Sequence, residues 1–519
     1  MLDLSISLDD KYGRERGTVF LSGTQALVRL TLLQAQRDRA AGLNTAGFVS
    51  GYRGSPLAGL DFEFWRARKF LEPATIRFQP GVNEDLAAAA VWGTQQIHFY
   101  PKPKYDGVFA MWYGKSPGVD RSGDAFKHAN HAGTTKHGGV LALVGDDHGQ
   151  KSTSTTSQSE YAMMDAMMPV LAPADLQEFI DLGLFGFALS RYSGLWVAFK
   201  VVDSNIGASG TVEIDPDRPP FALPNDVVLP ADGVHARWPD DRMPQEYRLK
   251  HVKIPAAVGF ARANRIDRTI FDCPKARLGI LASGKAWLDL AQALDTLGLD
   301  AKACAEIGVR VRKLGMIWPL EPEGLVRFAD GLEEILVIEE KRGFIEDQIK
   351  TILYDRAPAS RPRVFGKRDE TGAPFVPDCL ELEANQVALI VASRVLRFAD
   401  HADLRARRDA IEARRPRGNL APVHVRTPFF CSGCPHNTST VVPEGSAAAA
   451  GIGCHSMAIW TGRATAFTHM GGEGAQWIGS APFTDTPHLF QNVGDGTYYH
   501  SASLAIRAAI AAEVNITFK

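Results

Sequence analysis

The sequence is poor in the features that mark secreted, membrane-spanning or nucleic-acid-binding proteins. Only six cysteines occur in 519 residues, too few for the disulfide framework of a secreted domain. No apolar run is long enough to span a bilayer, and the first ten residues carry acidic rather than basic side chains, unlike a signal peptide. The net charge of −2 gives no electrostatic reason to expect a nucleic-acid partner. These absences predict a cytoplasmic protein that binds neither nucleic acid nor membrane.

What the sequence does contain is a regular alternation of short apolar strands with helical segments. A length of 519 residues is enough for about three domains. The alternation predicts an α/β fold of doubly wound, mostly parallel sheets that are covered by helices on both faces. In such sheets the functional loops follow the carboxyl ends of the strands. Here those loops are predicted at residues 51–55, 113–117 and 145–149.

Changes in composition divide the chain further. The predicted segments are residues 1–212, 213–276, 277–400, 401–425 and 426–519. The first and third are α/β domains, the second is a proline-rich linker or arm, the fourth is a basic linker, and the fifth opens another α/β domain. The arginines of the basic segment are typical of a solvated helix face, because no aromatic residues interleave with them. The last residues have the composition of a strand, which predicts that this chain is a fragment of a longer polypeptide.

Gly494-Asp495-Gly496 lies at a predicted junction between a strand and a helix. Glycines there let the backbone approach phosphate oxygens, and the start of a helix offers free N–H groups. The Asp495 carboxylate is the kind of oxygen ligand that Mg²⁺ takes together with phosphate. By itself, however, the tripeptide is first of all typical of an ordinary turn.

A cluster of three cysteines is the second chemical signal. Cys431 and Cys434 are two residues apart in a Cys-Ser-Gly-Cys-Pro-His loop, and Cys454 follows in Gly-Ile-Gly-Cys-His. Zinc would need a fourth ligand, for which His436 and His455 are candidates. A [4Fe–4S] cluster would need a fourth thiolate from outside this sequence. A redox-active dithiol or ordinary buried thiols are the alternatives.

Glu84 opens a predicted helix directly after Asn83. A buried carboxylate in that place could bond a protonatable ring nitrogen of a cofactor, although a charge in the first helical turn also has a purely structural use. Lys115 and His148 lie in loops at strand ends, where they are either active-site residues or turn and cap residues.

Taken together, these stretches resemble the thiamine-diphosphate-dependent 2-oxoacid:ferredoxin oxidoreductases, and among them indolepyruvate:ferredoxin oxidoreductase in its long, fused bacterial form. The resemblance covers nearly the whole chain, and its motifs stand in the family's order. These motifs are Gly51-Tyr-Arg-Gly-Ser-Pro, Asn83-Glu-Asp, Gly145-Asp-Asp-His-Gly, Cys431-Ser-Gly-Cys-Pro-His, Gly451-Ile-Gly-Cys-His, Gly471-Gly-Glu-Gly-Ala and Gly494-Asp-Gly.

The resemblance implies a pyrimidine-binding domain, a transketolase C-terminal-like domain and a truncated diphosphate-binding domain for the three α/β segments. It implies three catalytic residues, Glu84, Ser55 and His148, with Glu84 bonding N1′ of the aminopyrimidine. The chain departs from the family at Arg53 and Ser55, where proline and threonine are common, which leaves the substrate contacts open. The implied cofactor-binding residues are Gly54, Ser55, Glu84, Cys454, His455, Gly472, Gly474, Gly494, Asp495 and Gly496.

The resemblance also implies the metal sites. Asp495 would bind Mg²⁺, and Cys431, Cys434 and Cys454 would bind a [4Fe–4S] cluster. The family's second magnesium ligand, an asparagine, and its fourth thiolate would both lie beyond Lys519.

The implied activity is the oxidative decarboxylation of an arylpyruvate to an acyl-CoA by thiamine diphosphate ylid chemistry, with coenzyme A and ferredoxin as partners. The fragment alone is expected to be inactive and to need the missing C-terminal half or a partner subunit, within a homo-oligomer. One alternative is a non-oxidative thiamine-diphosphate decarboxylase or transferase, which would not need the cysteines. The other is a non-catalytic fragment or subunit of a split enzyme.

Overall fold

Three largely parallel sheets and one antiparallel strand pair organise the computed structural model, which describes residues 6–414 and 427–519. These two ranges form two compact units. The end of the predicted basic segment and the predicted opening of the last domain at Arg426 lie outside the described residues. The helices in the described ranges include none that is both long and apolar enough to cross a membrane.

The first unit contains fourteen strands. They are β1 (Gly17–Ser22), β2 (Thr45–Gly51), β3 (Ile76–Phe78), β4 (Gly107–Lys115), β5 (Val140–Asp146), β6 (Val170–Leu171), β7 (Trp196–Val202), β8 (Ser209–Ile214), β9 (Arg268–Phe271), β10 (Leu278–Ser283), β11 (Val309–Leu314), β12 (Met316–Trp318), β13 (Glu334–Ile338) and β14 (Arg363–Phe365). Helices of six or more residues span Gly23–Ala40, Leu60–Arg66, Glu84–Thr94, Ser116–Arg121, Gly123–Ala132, Glu160–Asp165, Leu176–Ser193, Arg242–Arg248, Ile254–Ala263, Gly284–Leu297, Ala301–Ile307, Pro322–Ala329, Phe344–Leu353, Ala384–Phe398 and Ala402–Arg414.

The first sheet has seven strands in the order β12-β6-β7-β5-β4-β2-β3, all parallel except β12. Its central strands β4 and β5 are buried along nearly their whole length because both faces are covered. Helices Gly23–Ala40 and Leu176–Ser193 contribute to the core on one face, and Glu84–Thr94 and Gly123–Ala132 contribute to the core on the other. The predicted doubly wound α/β fold is therefore confirmed.

The second sheet has five strands in the order β14-β13-β10-β11-β9, and only β9 is antiparallel to its neighbour. One of its faces packs against helices Gly284–Leu297 and Ala384–Phe398. The other shares a core with the first sheet, in which Leu281 and Phe328 join the same cluster as Trp112. The two sheets thus form a single packed unit.

Two stretches are more complex than a simple alternation of strands and helices. The chain bends at Gly315, so that β11 belongs to the second sheet and β12 pairs with β6 of the first. The proline-rich stretch 213–276 is not irregular throughout, because it contains helices Arg242–Arg248 and Ile254–Ala263 as well as β9. The many prolines of this stretch weaken the sequence pattern of these short elements, whose formation is decided by tertiary contacts.

The second unit is built on a three-stranded parallel sheet. Its strands are β15 (Ala447–Ala449), β16 (Leu489–Gln491) and β17 (Ile516–Phe518). Two helices belong to the same unit as this sheet, Ala475–Ser480 and Ser503–Ala511. The helix predicted after Gly494-Asp495-Gly496 begins at this tripeptide, because a helical turn at Asp495–Thr497 and a π-helical turn at Tyr498–Ala502 lead directly into Ser503–Ala511.

Candidate active site

The first sheet changes its winding direction between β2 and β4. From β2 the chain passes to the edge strand β3 and then returns to β4 on the other side of β2. In open α/β sheets, ligands bind outside the carboxyl ends of the strands at this kind of switch point. The loop with Gly54 and Ser55 follows β2, and Lys115 ends β4. The topology therefore marks this crevice as the candidate site of the first unit.

Glu84 is held firmly beside the crevice. The Asn83 side chain caps the helix by accepting a hydrogen bond from the backbone N–H of Leu86 at 3.0 Å, and Trp112 Nε1 donates to the backbone oxygen of Glu84 at 2.9 Å. Trp112 is fully buried and packs edge-on against Phe126. Glu84 itself is buried, so the sequence-predicted carboxylate has a fixed backbone and little contact with water.

The Glu84 carboxylate lies directly against Gly118. A methyl group on residue 118 would come within 2.6 Å of Glu84 Oε1 and 2.7 Å of Cδ, far inside normal contact distance. Gly118 belongs to helix Ser116–Arg121. Only a glycine therefore leaves room for this carboxylate, and sequence reasoning missed the position because the glycine resembles an ordinary turn residue.

Lys115 joins Glu84 in this crevice. A methyl group on Gly54 would lie 2.7 Å from Lys115 Cδ, so the lysine stem passes over the loop that follows β2. Burial lowers the pKa of Lys115, although the carboxylates of Glu84 and Asp147 oppose this shift. The structure thus brings Gly54, Glu84 and Lys115 together, with Ser55 half-buried in the same loop.

His148 faces a different partner. Its Nδ1 pairs with the carboxylate of Glu340, which follows β13 of the second sheet, and its backbone oxygen accepts a hydrogen bond from Lys341 Nζ at 2.6 Å. Burial alone would raise the pKa of Glu340, but the charges of His148 and Lys285 lower it to about 2. The imidazole therefore links the two sheets.

A second buried ion cluster adjoins His148 and was missed in the sequence. Lys200 Nζ contacts both carboxylate oxygens of Glu160, at 2.9 and 3.0 Å, and lies 3.8 Å from Asp146 Oδ2. Asp146 also accepts hydrogen bonds from the backbone and hydroxyl of Ser159. These partners come from separate elements, so no local spacing could have identified them.

In the second unit, Gly494 and Asp495 begin a helical segment directly after the sheet. Open space surrounds Gly494 and Gly496, where an added methyl group would meet no atom within 4 Å. Asp495 is exposed. Exposed backbone, a helix start and an accessible carboxylate are the features that a metal-bound diphosphate requires, so the described residues fit the predicted group.

The Gly471–Gly474 loop is tightly packed. A methyl group on Gly472 would lie 2.4 Å from the His469 ring, and one on Gly474 would lie 2.5 Å from the Phe518 ring. Between them, Glu473 is fully buried and accepts a hydrogen bond from the Gly471 N–H at 2.6 Å. Burial raises the pKa of Glu473. These contacts explain the two glycines structurally, and their cofactor role stays a prediction.

The predicted cysteine ligands lie in one region of the second unit. The N–H of Cys434 bonds to the carbonyl of Cys431 at 3.0 Å in a tight turn, and Cys434 Sγ lies 3.0 Å from His436 Nδ1. The His436 ring packs edge-on against the His455 ring, with centroids 4.4 Å apart. Cys454 directly precedes His455 and therefore lies in the same region as His436.

Across residues 6–414 and 427–519, no group of three or more histidine, cysteine or acidic side chains is already arranged as a metal site. The donors of the cysteine region are nevertheless thiols, the ligand type of iron–sulfur clusters. Cys431 and Cys454 are exposed and Cys434 is half-buried. Their chemistry therefore fits such a cluster.

The amino-acid sequence of this chain is similar to those of known proteins. The model of the "Indolepyruvate oxidoreductase domain" matches residues 268–417. Indolepyruvate oxidoreductase subunit IorA of Methanothermobacter marburgensis is 24% identical over 96% of this chain and 74% of its own length. The subunit of the same name from Thermococcus kodakarensis is 24% identical over 98% of this chain and 75% of its own length. Over nearly its whole length the chain is similar to indolepyruvate oxidoreductase subunits, which confirms the resemblance seen in the motifs.

Two solved structures were also similar. A 2-oxoglutarate:ferredoxin oxidoreductase from Magnetococcus marinus is 13% identical, covers 73% of this chain and 66% of its own, and gives a TM-score of 0.48. A split-gene transketolase is 15% identical, covers 73% of this chain and 99% of its own, and gives a TM-score of 0.43.

Proposed function

We propose that this chain provides the thiamine diphosphate-binding part of an enzyme that oxidatively decarboxylates an arylpyruvate. In this proposal the acyl group passes to coenzyme A and the electrons pass to ferredoxin. The observation that carries the proposal is the buried Glu84 carboxylate, which is seated against Gly118 at the switch point of the first sheet. The curated relatives are named as subunits, which supports a partner polypeptide for this chain.

Glu84 is proposed to accept a hydrogen bond from N1′ of the aminopyrimidine ring. Thiamine diphosphate, when bound, supplies the carbon nucleophile that attacks the keto group and stores the electron pair left after CO₂ departs. The role of Glu84 is to hold a proton at the ring nitrogen, for which a fixed and buried carboxylate is well suited. Lys115 supplies a neighbouring positive group, and the Ser55 hydroxyl is proposed to contact the substrate.

His148 is proposed to be a positioning residue. Because its imidazole pairs with Glu340, it is engaged away from the crevice, while the preceding residue Asp147 acts electrostatically on Lys115. The His148–Glu340 pair therefore fixes the loop on which Asp147 lies.

The second unit, taken by itself, is proposed to bind a metal-bound diphosphate and to provide the route for electrons. Asp495 would bind Mg²⁺, and the backbone of Gly494 and Gly496 would approach the diphosphate. Cys431 and Cys434, with Cys454, would hold an iron–sulfur cluster, completed by a ligand from outside these residues. A cluster suits an oxidative reaction, because the electrons leave one at a time, and a non-oxidative thiamine enzyme has no use for it.

The decisive experiment removes the charge of Glu84 and preserves its shape. In the enzyme completed by its partner polypeptide, Glu84→Gln should lower the rate of indolepyruvate decarboxylation by roughly 10²- to 10⁴-fold, the usual contribution of a positioned acid–base group. Asp85→Asn is the matched control, because Asp85 lies next in the same helix and pairs with Arg121 near the surface. Equal rates of CO₂ release from the two variants would contradict the proposed role.

A further inference from the structure

The second sheet has a switch point of its own. From β10 the chain passes through helix Gly284–Leu297 to β11 on one side, and it later returns through Pro322–Ala329 to β13 on the other. A pocket opens outside the carboxyl ends of β10 and β13, where Ser283 and Glu340 lie. His148 and Lys200 of the first sheet line the same pocket. By the rule that located the first crevice, this is a ligand-binding position.

The start of helix Gly284–Leu297 faces this pocket without a side-chain cap. The helix has 14 residues, and its cap residue Ser283 accepts no hydrogen bond from it. In contrast, Ser22 caps helix Gly23–Ala40. Glu339 likewise accepts the N–H groups of Ile345 and Glu346 in the helix that follows β13. The first N–H groups of an α-helix have no partner inside the helix, so this helix presents donors and a positive dipole end to the pocket.

An independent feature of the pocket is the second nitrogen of His148. The side chain is only 4% exposed, and its Nε2 is buried with no hydrogen-bond partner. The nearest acidic atom, Asp146 Oδ2, is 4.0 Å away, beyond hydrogen-bonding distance. A buried polar atom without a partner is costly and unusual. Since Nδ1–H donates to the Glu340 carboxylate, Nε2 is left for a ligand, as an acceptor in the neutral ring and as a donor in the protonated ring.

The charged groups around the pocket are already matched with one another. Lys200 pairs with Glu160 at 2.9 Å, and Lys285 contacts Asp289 at 2.8 Å and Glu340 at 3.5 Å. The unmet helix N–H groups call for a hydrogen-bond acceptor, and His148 Nε2 calls for a ligand atom with which it can share a hydrogen. The number of neighbouring carboxylates restricts such a ligand to a low charge. Burial raises the pKa of the lining carboxyl of Glu339, which makes this group less prone to ionise.

We propose that this pocket binds a small, singly charged oxyanion of the size of phosphate or a short carboxylate. Its oxygens accept hydrogen bonds from the first turn of helix Gly284–Leu297, and one of them shares a hydrogen with His148 Nε2. The ligand then joins an element of the second sheet to a loop of the first. This site is separate from the Glu84 crevice and does not rest on the proposed function.

The test compares anion binding by the wild-type chain with binding by a variant that carries a carboxylate side chain at position 283. Isothermal titration of the full chain with sodium phosphate and with sodium acetate, each against sodium chloride at equal ionic strength, should show one saturable site for at least one oxyanion. Ser283→Asp should weaken this binding at least tenfold, because the new side chain caps the helix and occupies the place of the ligand. Ser22→Asp, at a helix start that is already capped, is the matched control and should leave the affinity unchanged.

Preference for phosphate would identify a tetrahedral ligand, and preference for acetate would identify a carboxylate. Absence of saturable binding with both anions would overturn the proposal, as would equal weakening in Ser283→Asp and Ser22→Asp. Should Ser283→Asp fail to fold, hydrogen exchange of the wild-type chain decides instead. Saturating phosphate or acetate should slow exchange of the amides at residues 284–287 at least threefold, and unchanged exchange with both would refute the site.

Discussion

A substitution at Gly118 tests the contact with the Glu84 carboxylate and removes no charged group. In Gly118→Ala, the added methyl group would lie 2.5 Å from Glu84 Cγ and 2.6 Å from Oε1. Carbon atoms in good contact are about 3.5–4.0 Å apart, so the carboxylate must move by about 1 Å. A displacement of that size at a reacting centre costs on the order of 10²-fold in rate. We therefore expect decarboxylation by the completed enzyme to fall about 100-fold.

The effect on stability should be much smaller than the effect on rate. Overpacking a buried site costs about 1–3 kcal/mol, and replacing a helical glycine by alanine returns up to about 1 kcal/mol. The net loss in the free energy of unfolding should therefore be about 1–2 kcal/mol, measured by urea denaturation of the full chain. The fold and the binding surface of the second unit should not change.

Gly93→Ala is the matched control. Gly93 lies in the same helix as Glu84, and an added methyl group there would meet no atom within 4 Å. This variant should keep full activity and gain about 0.5–1 kcal/mol of stability from helix propensity. If Gly118→Ala and Gly93→Ala decarboxylate indolepyruvate at the same rate, the close contact between Gly118 and Glu84 has no functional meaning, and the argument for the seat fails.

Two further predictions concern the other charged and metal-binding groups. Glu340→Gln should lower the free energy of unfolding of the full chain by about 3–5 kcal/mol at pH 7, because it leaves His148 without its buried partner. Since the folded pKa of Glu340 is lowered from 4.5 to about 2, its contribution is present above about pH 4.5 and is lost as the pH falls toward 2. Denaturation curves between pH 2 and pH 7 should thus depend less on pH in the variant, and an unchanged slope would contradict this pairing. Anaerobically purified enzyme should contain iron and acid-labile sulfide, which Cys431→Ser should remove and Cys379→Ser, at an exposed cysteine outside the cluster region, should not. Equal iron contents in the two variants would exclude Cys431 as a ligand.

The elements that could be predicted from the sequence are those with a local signal. The apolar strand β5 and the capped helix that begins at Glu84 are examples, since burial on both faces and an asparagine cap both leave a local pattern. The motifs also carried the resemblance to known enzymes. The helix start at Glu84 could be placed because Asn83 directly precedes it, whereas the catalytic role of Glu84 came from the resemblance and stays a prediction.

The missed features depend on contacts between distant residues. His148 and Glu340 are 192 positions apart and meet only because two sheets pack against each other. Gly118 has no distinctive neighbours, and its importance is visible only when the Glu84 carboxylate is seen beside it. The break at Gly315, which sends β12 to the first sheet, likewise depends on strand pairing with β6.

The packing of the two sheets suggests why so many charges are buried behind the first crevice. Buried ion pairs seldom stabilise a fold more than apolar residues of the same size would, so the cluster of His148 and Glu340 needs another reason to exist. The loop that begins with Asp147 supplies one. This loop starts beside the His148–Glu340 pair and ends near Ser116. Between these points, the carbonyl oxygen of Ser152 accepts a hydrogen bond from Lys115 Nζ.

At that end, the hydroxyl groups of Ser116 and Ser157 are 2.6 Å apart. Ser116 begins the helix that contains Gly118, the seat of the Glu84 carboxylate. A change in the pairing of His148 would therefore reach Glu84 through one short loop and one short helix, with no rearrangement of either sheet. Ion pairs are directional where apolar contacts are not. Under the proposed function, the His148–Glu340 pair would therefore help to position the Glu84 carboxylate as well as to join the two sheets.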